Sequence, residues 1–347
     1  MTRPARVISM PWTDPPAEGE AIEVAEGVLW MRMPLPLALD HVNVYALRDE
    51  DGWTVVDTGM SSRRSKAIWQ GLMDGPLQGL PVRRVIVTHH HPDHVGLAGW
   101  FQSVHGAELV MTRTAWLLAR MLQMDEQDRP CAETQRHWRR AGMDADLFAQ
   151  RLTERPFNFA DMVAPMPLGF TRIAQGDRMR IGGRDWTVHT GGGHAPEHAT
   201  LWSDDGALVL AGDQIISSIS PNVGVYATEP DADPLADWLE SCERLETLCT
   251  MEQLCLSGHK LPFRGLPHRM RQLIENHHNA LPRLVAYLET PKTAADCFAL
   301  LFRRKIGPAE YGLALVEAVA HLNHLYAKGL VSREMSKDGA WLWQQSG

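Results

Sequence analysis

The stretch Thr88-His89-His90-His91-Pro92-Asp93-His94-Val95-Gly96 sets four side chains of metal-ligand type, His89, His91, Asp93 and His94, within six consecutive positions. Buried imidazoles and a carboxylate without partners are costly, so such a group does not pack as ordinary core. Pro92 disfavours helical backbone at His91, and residues two apart on an extended segment face one side, which aims His89 and His91 together. Just before the cluster, the apolar run 85–88 reads as a short strand buried on both faces. Beyond it, Leu97, Trp100, Phe101 and Val104 fall at helical spacing, which predicts a helix over 93–105. Asp93 and His94 begin that helix and face elsewhere, toward a second ion. His90 lies between the two aligned histidines and is expected to be solvated or packed rather than a ligand.

Three distant residues share one place in the pattern, at the end of a strand or just after it. His194 follows the glycine turn Gly191-Gly192-Gly193 and a strand over 186–189, Asp213 follows a strand over 208–211, and His259 follows one over 254–257. With the first cluster they make five histidines and two carboxylates. All are nitrogen and oxygen donors that suit zinc and are acceptable to iron or manganese.

Around these segments the chain reads as mixed α/β. Strands are expected over 28–32, 42–47, 53–57 and 199–202, helices over 61–73 and 234–250, and a helix-rich stretch over 112–152. A long helix over 267–289 opens the C-terminal part. A later helix carries Leu315, Val319, Leu322 and Tyr326 on one stripe and stops at Gly329. A hairpin turning at Asp338-Gly339 follows it, an order that looks like a winged-helix module. The expected units are an N-terminal arm over 1–21, a main domain over 22–262, and a linker helix with the winged helix over 263–347.

H-x-H-x-D-H at His89, His91, Asp93 and His94, with His194, Asp213 and His259 at strand ends, resembles the metallo-β-lactamase superfamily over about 22–262. The resemblance implies an α/β fold, an αββα four-layer sandwich with a helical insertion at about 112–170 and a dinuclear metal site between its two sheets. It implies that His89, His91 and His194 hold one metal, that Asp93, His94 and His259 hold another, and that Asp213 bridges them. Asp57, in Val55-Val56-Asp57-Thr58-Gly59, matches an early aspartate that orients the metal-binding loop, and His198 matches a histidine that supports the ligands from behind. The implied cofactors are two divalent ions, zinc first, with iron or manganese as alternatives. The implied chemistry is hydrolysis, in which a metal-bound hydroxide attacks a thioester, ester or lactone carbonyl, as in the glyoxalase II, acyl-thioesterase and lactonase branches. Asp93 and Asp213 are the expected catalytic carboxylates, the latter fixing the metal separation and taking up a proton. The C-terminal part is similar to the winged-helix tail of a branch that includes an endoribonuclease, so phosphodiester cleavage is the main alternative. β-Lactam amide hydrolysis and a non-catalytic binding module are the others.

Composition narrows the partners. The 347 residues include 42 acidic and 34 basic side chains, a net charge of −8, which argues against non-specific grip on nucleic acid or an anionic membrane. No apolar run reaches the roughly 18 residues that a membrane helix needs. The N-terminus lacks the apolar core of a secretory signal, and five cysteines without a C-x-x-C pair fit a reducing compartment, so a cytoplasmic location is expected. The expected partner is a small-molecule substrate with an apolar acyl portion, with a homodimer as the candidate assembly. Met121, Met124, Met143, Met162 and Met166, with Trp116, Trp138, Phe148, Phe157 and Phe159, mark 112–170 as a candidate lid for that portion.

Overall fold

Apolar side chains that alternate along the strands bury both faces of two sheets, and the computed structural model describes this arrangement for residues 8–36 and 39–347. The first sheet contains β1 (Ile22–Ala25), β2 (Val28–Pro34), β3 (His41–Asp49), β4 (Gly52–Val56), β5 (Val82–Ile86), β6 (Glu108–Thr112) and β7 (Thr171–Ile173), neighbours in that order. Its first four strands form an antiparallel meander, and β4 to β7 run parallel. The second sheet contains β8 (Arg178–Ile181), β9 (Arg184–Gly191), β10 (His198–Ser203), β11 (Leu208–Gly212) and β12 (Leu254–Ser257), antiparallel except for the β11–β12 pair. Trp30, Tyr45, Val56, Ile86 and Val110 of the first sheet meet Trp186, Val188, Leu201, Leu210 and Leu256 of the second in one buried cluster. The intervening residues point outward: Met31, Val44, Val55, Val85 and Leu109 on one side, Val209, Ala211 and Cys255 on the other.

Helices cover both outer faces. α1 (Arg63–Asp74), α2 (Pro92–Val95), α3 (Ala98–His105) and α4 (Arg113–Met124) belong to the first sheet's side, and α5 (Ala132–Arg140) and α6 (Ala145–Thr153) follow them in the chain. α7 (Pro234–Glu246), α8 (Leu266–Tyr287), α9 (Phe298–Phe302) and α10 (Tyr311–Ala327) lie toward the second sheet, and the hairpin of β13 (Val331–Met335) and β14 (Trp341–Gln345) ends the chain. The result is the expected αββα sandwich. No helix among the described residues is long and apolar enough to cross a membrane.

Several expectations change in detail. The helix over 93–105 is two helices broken at Gly96-Leu97, where the Gly96 carbonyl accepts from the N–H of Ala164 (2.7 Å) and a Cβ on Gly96 would sit only 2.5 Å from the carbonyl of Gly59. A strand, β6, precedes the helix-rich stretch. Residues 1–7 of the expected arm lie outside the described residues. From there Ser9 pairs with Arg264 through two backbone hydrogen bonds of 2.8 and 3.2 Å, and Trp12 meets Trp30 edge-on. The lid expectation fails for α5 and α6: Trp138, Met143, Leu147 and Phe148 pack with Cys297, Phe298 and Leu315 of the C-terminal helices. Met166 and Phe159 are buried against the first sheet's helices, whereas Leu117, Met121 and Met124 of α4 and Phe157 stay exposed.

Gly193 connects this packing to the candidate ligand that follows it. It has φ +89°, and a Cβ there would lie 2.4 Å from the Cβ of Trp238 and 2.6 Å from the carbonyl of Pro234 on α7. Gly193→Ala is therefore expected to cost more than about 2 kcal/mol, from left-handed backbone and overpacking together. Gly183→Ala, at φ +73° with nothing within 4 Å, is expected to cost only the backbone part, about 1–2 kcal/mol. Urea unfolding of both variants checks this, and equal losses would refute the packing role.

Candidate metal centre

The seven expected ligand residues converge where the strands of both sheets end. Their side chains form three overlapping groups able to hold a metal ion: His89, His91 and His194; His89, His94 and Asp213; and Asp93, His94 and His259. Nε2 of His89 lies 3.0 Å from Nδ1 of His91 and 3.3 Å from Nε2 of His194. On the other side Oδ2 of Asp93 lies 3.3 Å from Nε2 of His259 and 3.6 Å from Nε2 of His94. Between the two groups Oδ2 of Asp213 is 3.2, 3.5 and 3.6 Å from Nε2 of His259, His94 and His194. Ligand atoms about 2.0–2.1 Å from a tetrahedral ion stand about 3.4 Å apart, so these separations fit coordination.

Hydrogen bonds on the far side of four rings, those of His89, His94, His194 and His259, decide which nitrogen faces inward. The Thr88 hydroxyl donates to Asp57 (2.8 Å) and accepts from Nδ1 of His89 (3.0 Å). His194 donates from Nδ1 to the carbonyl of Asn222 (2.8 Å), His259 from Nδ1 to the carbonyl of His41 (2.7 Å), and His94 from Nδ1 to Oδ2 of Asp57 (2.7 Å). In these four rings Nε2 faces the centre, as partners behind metal-binding imidazoles arrange, whereas His91 turns Nδ1 inward. Lone pairs held this close repel one another unless a cation stands between them. Nε2 of His94 and Oδ1 of Asp213 are buried without a hydrogen-bond partner among the described residues, which fits the same requirement. Gly258 leaves room for the carboxylate, since a Cβ there would sit 2.2 Å from Oδ1 of Asp213.

Asp57 and His198 lie against the histidine cluster. Asp57, just past β4, accepts from the Thr88 backbone (2.8 Å), the Thr88 hydroxyl and His94, in left-handed backbone at φ 59°. His198, first in β10, stacks on His89 with ring centroids 4.5 Å apart and accepts at Nε2 from the backbone N–H of Asp213 (3.1 Å). Burial pushes its imidazole down to about 3, so it stays neutral and keeps that acceptor. His90 is half-buried beside His91 and belongs to none of the three groups. Glu197 and Lys260, next to ligand segments, also have positive φ. The carboxylate of Glu197 caps α4 by accepting from the backbone N–H of Thr114 (2.7 Å). Sequence spacing missed His41, Asn222 and Glu197 because the first two act through main-chain carbonyls, and the third touches a helix end rather than the centre.

Charge divides the two groups. Burial and neighbouring imidazoles hold His89 and His91 well below the usual histidine range. Burial also opposes charge on His259, yet the Asp213 and Asp93 carboxylates lift it to about 10. Burial works against ionisation of Asp213 as well, but the His259 and His94 rings hold its carboxyl well below the usual carboxylate range. Burial opposes charge on His94 too, but the Asp213, Asp93 and Asp57 carboxylates raise it well above the usual histidine range.

Comparison with known proteins agrees with this geometry. Residues 37–252 match the metallo-beta-lactamase superfamily, and residues 281–346 match the metallo-beta-lactamase-like C-terminal domain. A beta-lactamase domain protein from Burkholderia ambifaria superposes with a TM-score of 0.89 at 37% identity, covering 98% of each chain. A metallo-beta-lactamase family protein from Thermus thermophilus superposes with a TM-score of 0.77 at 26% identity, over 93% of this chain and all of that one. The chain is also 25% identical to the probable metallo-hydrolase YqjP of Bacillus subtilis (strain 168), over 88% of this chain and 94% of that protein. With the superfamily matched over well more than half of its length, the chain belongs to the metallo-beta-lactamase superfamily.

Proposed function

We propose that the protein is a dinuclear, zinc-dependent hydrolase that cleaves thioesters, esters or lactones. Its class, a metal-dependent hydrolase, follows from its superfamily. The finer reading is carried by Asp213, whose Oδ2 is shared between the imidazoles of both groups at 3.2–3.6 Å. Bound there, divalent ions would supply a hydroxide nucleophile at neutral pH and polarise the acyl oxygen. His89, His91 and His194 would hold one ion, and Asp93, His94 and His259 the other. Asp213 keeps both groups at one separation and offers a carboxylate oxygen to a leaving proton. Asp57 and His198 hold the ligands in place. The exposed stripe Leu117, Met121 and Met124 on α4, whose N-terminus is tied to Glu197, supports an apolar acyl portion for the substrate.

Phosphodiester cleavage is the weaker reading. The helix that would enter a nucleic-acid groove in a winged-helix module, α10, is buried along most of its length. Of the arginines in the C-terminal part, Arg269 is spent on the carbonyls of Ile216 and Ile219, and Arg271 and Arg304 pair with Glu246 and Glu310.

Reconstituted protein is expected to hold two zinc ions per chain by elemental analysis, and a content of one or none sinks the dinuclear reading. Asp213→Ala is expected to lose at least about 100-fold in acyl hydrolysis with its circular dichroism unchanged. A screen of thioesters, lactones, β-lactams and RNA with the zinc, iron and manganese forms tests the substrate class, and turnover confined to RNA would overturn it. Proton release supplies a further check. His259, raised to about 10, is protonated in the metal-free protein at pH 7 and must give up its proton to bind an ion, whereas His89 and His91 are already neutral. One of the two zinc affinities is therefore expected to rise between about pH 6 and 9 while the other stays flat, read by calorimetry in buffers of different ionisation enthalpy. Two parallel pH profiles would contradict the assignment.

A further inference from the structure

We propose that Glu317, on α10 of the C-terminal region, is a positioning residue for the metal position built on His89, His91 and His194, acting through Asn222. Residues 213–233, between the shared carboxylate and α7, form neither helix nor strand. Irregular connections longer than about 12–15 residues in a compact fold need other elements to hold them. Here the C-terminal helices do so. Arg269 of α8 donates to the carbonyls of Ile216 (2.6 Å) and Ile219 (2.7 Å), Val316 of α10 accepts from the N–H of Val225 (3.1 Å), and Asn323 donates to the carbonyls of Pro230 (3.0 Å) and Ala232 (2.9 Å).

At the middle of this connection stands Asn222, whose carbonyl orients His194 through a 2.8 Å bond to Nδ1. Its side-chain amide donates to Oε2 of Glu317 (2.7 Å) and, less closely, to the carbonyl of Leu313 (3.2 Å). Among the described residues no other hydrogen bond reaches the Glu317 carboxyl. A carboxyl group in a largely buried place with a single amide partner is costly to leave without that bond. Gly224 lets α10 approach this closely, since a Cβ there would lie 2.7 Å from Cγ2 of Val316. The chain of contacts thus runs from α10 through the Asn222 side chain and carbonyl to the His194 ring, and fixes the tautomer that offers Nε2 inward. The two matched families therefore meet at one ligand.

This inference rests on the dinuclear reading, and its test separates the two. Zinc stoichiometry and both affinities are measured by chelator competition for wild type, Glu317→Ala and Glu317→Gln, together with the metal-free Tm. The Nδ1–H resonance of His194 is followed by nitrogen-15 NMR in the metal-free protein. Glu317→Ala is expected to weaken one of two zinc ions about tenfold, to leave the other and the Tm close to wild type, and to shift or broaden the His194 signal. Glu317→Gln keeps an acceptor for the Asn222 amide and is expected to stay within about threefold of wild type. Unchanged affinities and an unchanged His194 signal in Glu317→Ala would overturn the proposal, as would equal loss at both positions with a lowered Tm. If wild type binds fewer than two ions, the dinuclear reading fails, while the His194 signal still decides whether Glu317 positions that ring.

Discussion

The carboxylate of Asp57 holds the histidine segment to the first sheet. Almost fully buried, it accepts from the backbone and hydroxyl of Thr88 and from His94, and so spans both sides of the histidine cluster. A buried anion of this kind is tolerated because each hydrogen bond is charge-assisted and because His94 can carry a compensating proton or share a cation. Its left-handed backbone stores strain that the surrounding strands must hold. The orientation of His89 depends on it as well, since the Thr88 hydroxyl must point to Asp57 before it can accept from the imidazole.

From that anchor the two halves of the centre are built by different means. The first sheet delivers His89, His91, Asp93 and His94 on one short turn after β5, where spacing alone aligns them. The second sheet delivers His194, Asp213 and His259 from the ends of β9, β11 and β12, where alignment comes from register. Parallel pairing sets Gly212 opposite Ser257, so Asp213 and His259 emerge side by side. Glycines at 193, 212 and 258 then let the backbones approach closely enough for the side chains to meet.

These two means explain how much could be read in advance. The histidine turn and the three strand-end partners were legible because each combines a ligand-type side chain with a strand ending in turn residues. So were the strands over 28–32, 42–47, 53–57, 85–88, 208–211 and 254–257, whereas their stacking in four layers was implied by the resemblance that the histidine motif carries. The short strands β1, β7 and β8 carry too few residues to show a period. The break at Gly96 depends on a carbonyl of a distant loop. The docking of α5 and α6 could not be told from a substrate lid, because Trp138 and Phe148 look equally apolar whether they face an acyl chain or the α9–α10 packing. Asn222 and Glu317 leave no pattern at all, since one works through its main chain and the other through the first.

The pairing of Ser9 with Arg264 gives the topology a temporal consequence. Closing that bridge encloses nearly the whole sandwich in one loop, and contacts so distant along the chain form late and slowly. As the chain leaves the ribosome, the first sheet and its histidine turn emerge well before His194, Asp213 and His259, and the helices that mould residues 213–233 come last. In a nascent chain the imidazoles are therefore scattered, and His89 and His91 can meet His194 only after the second sheet has been made.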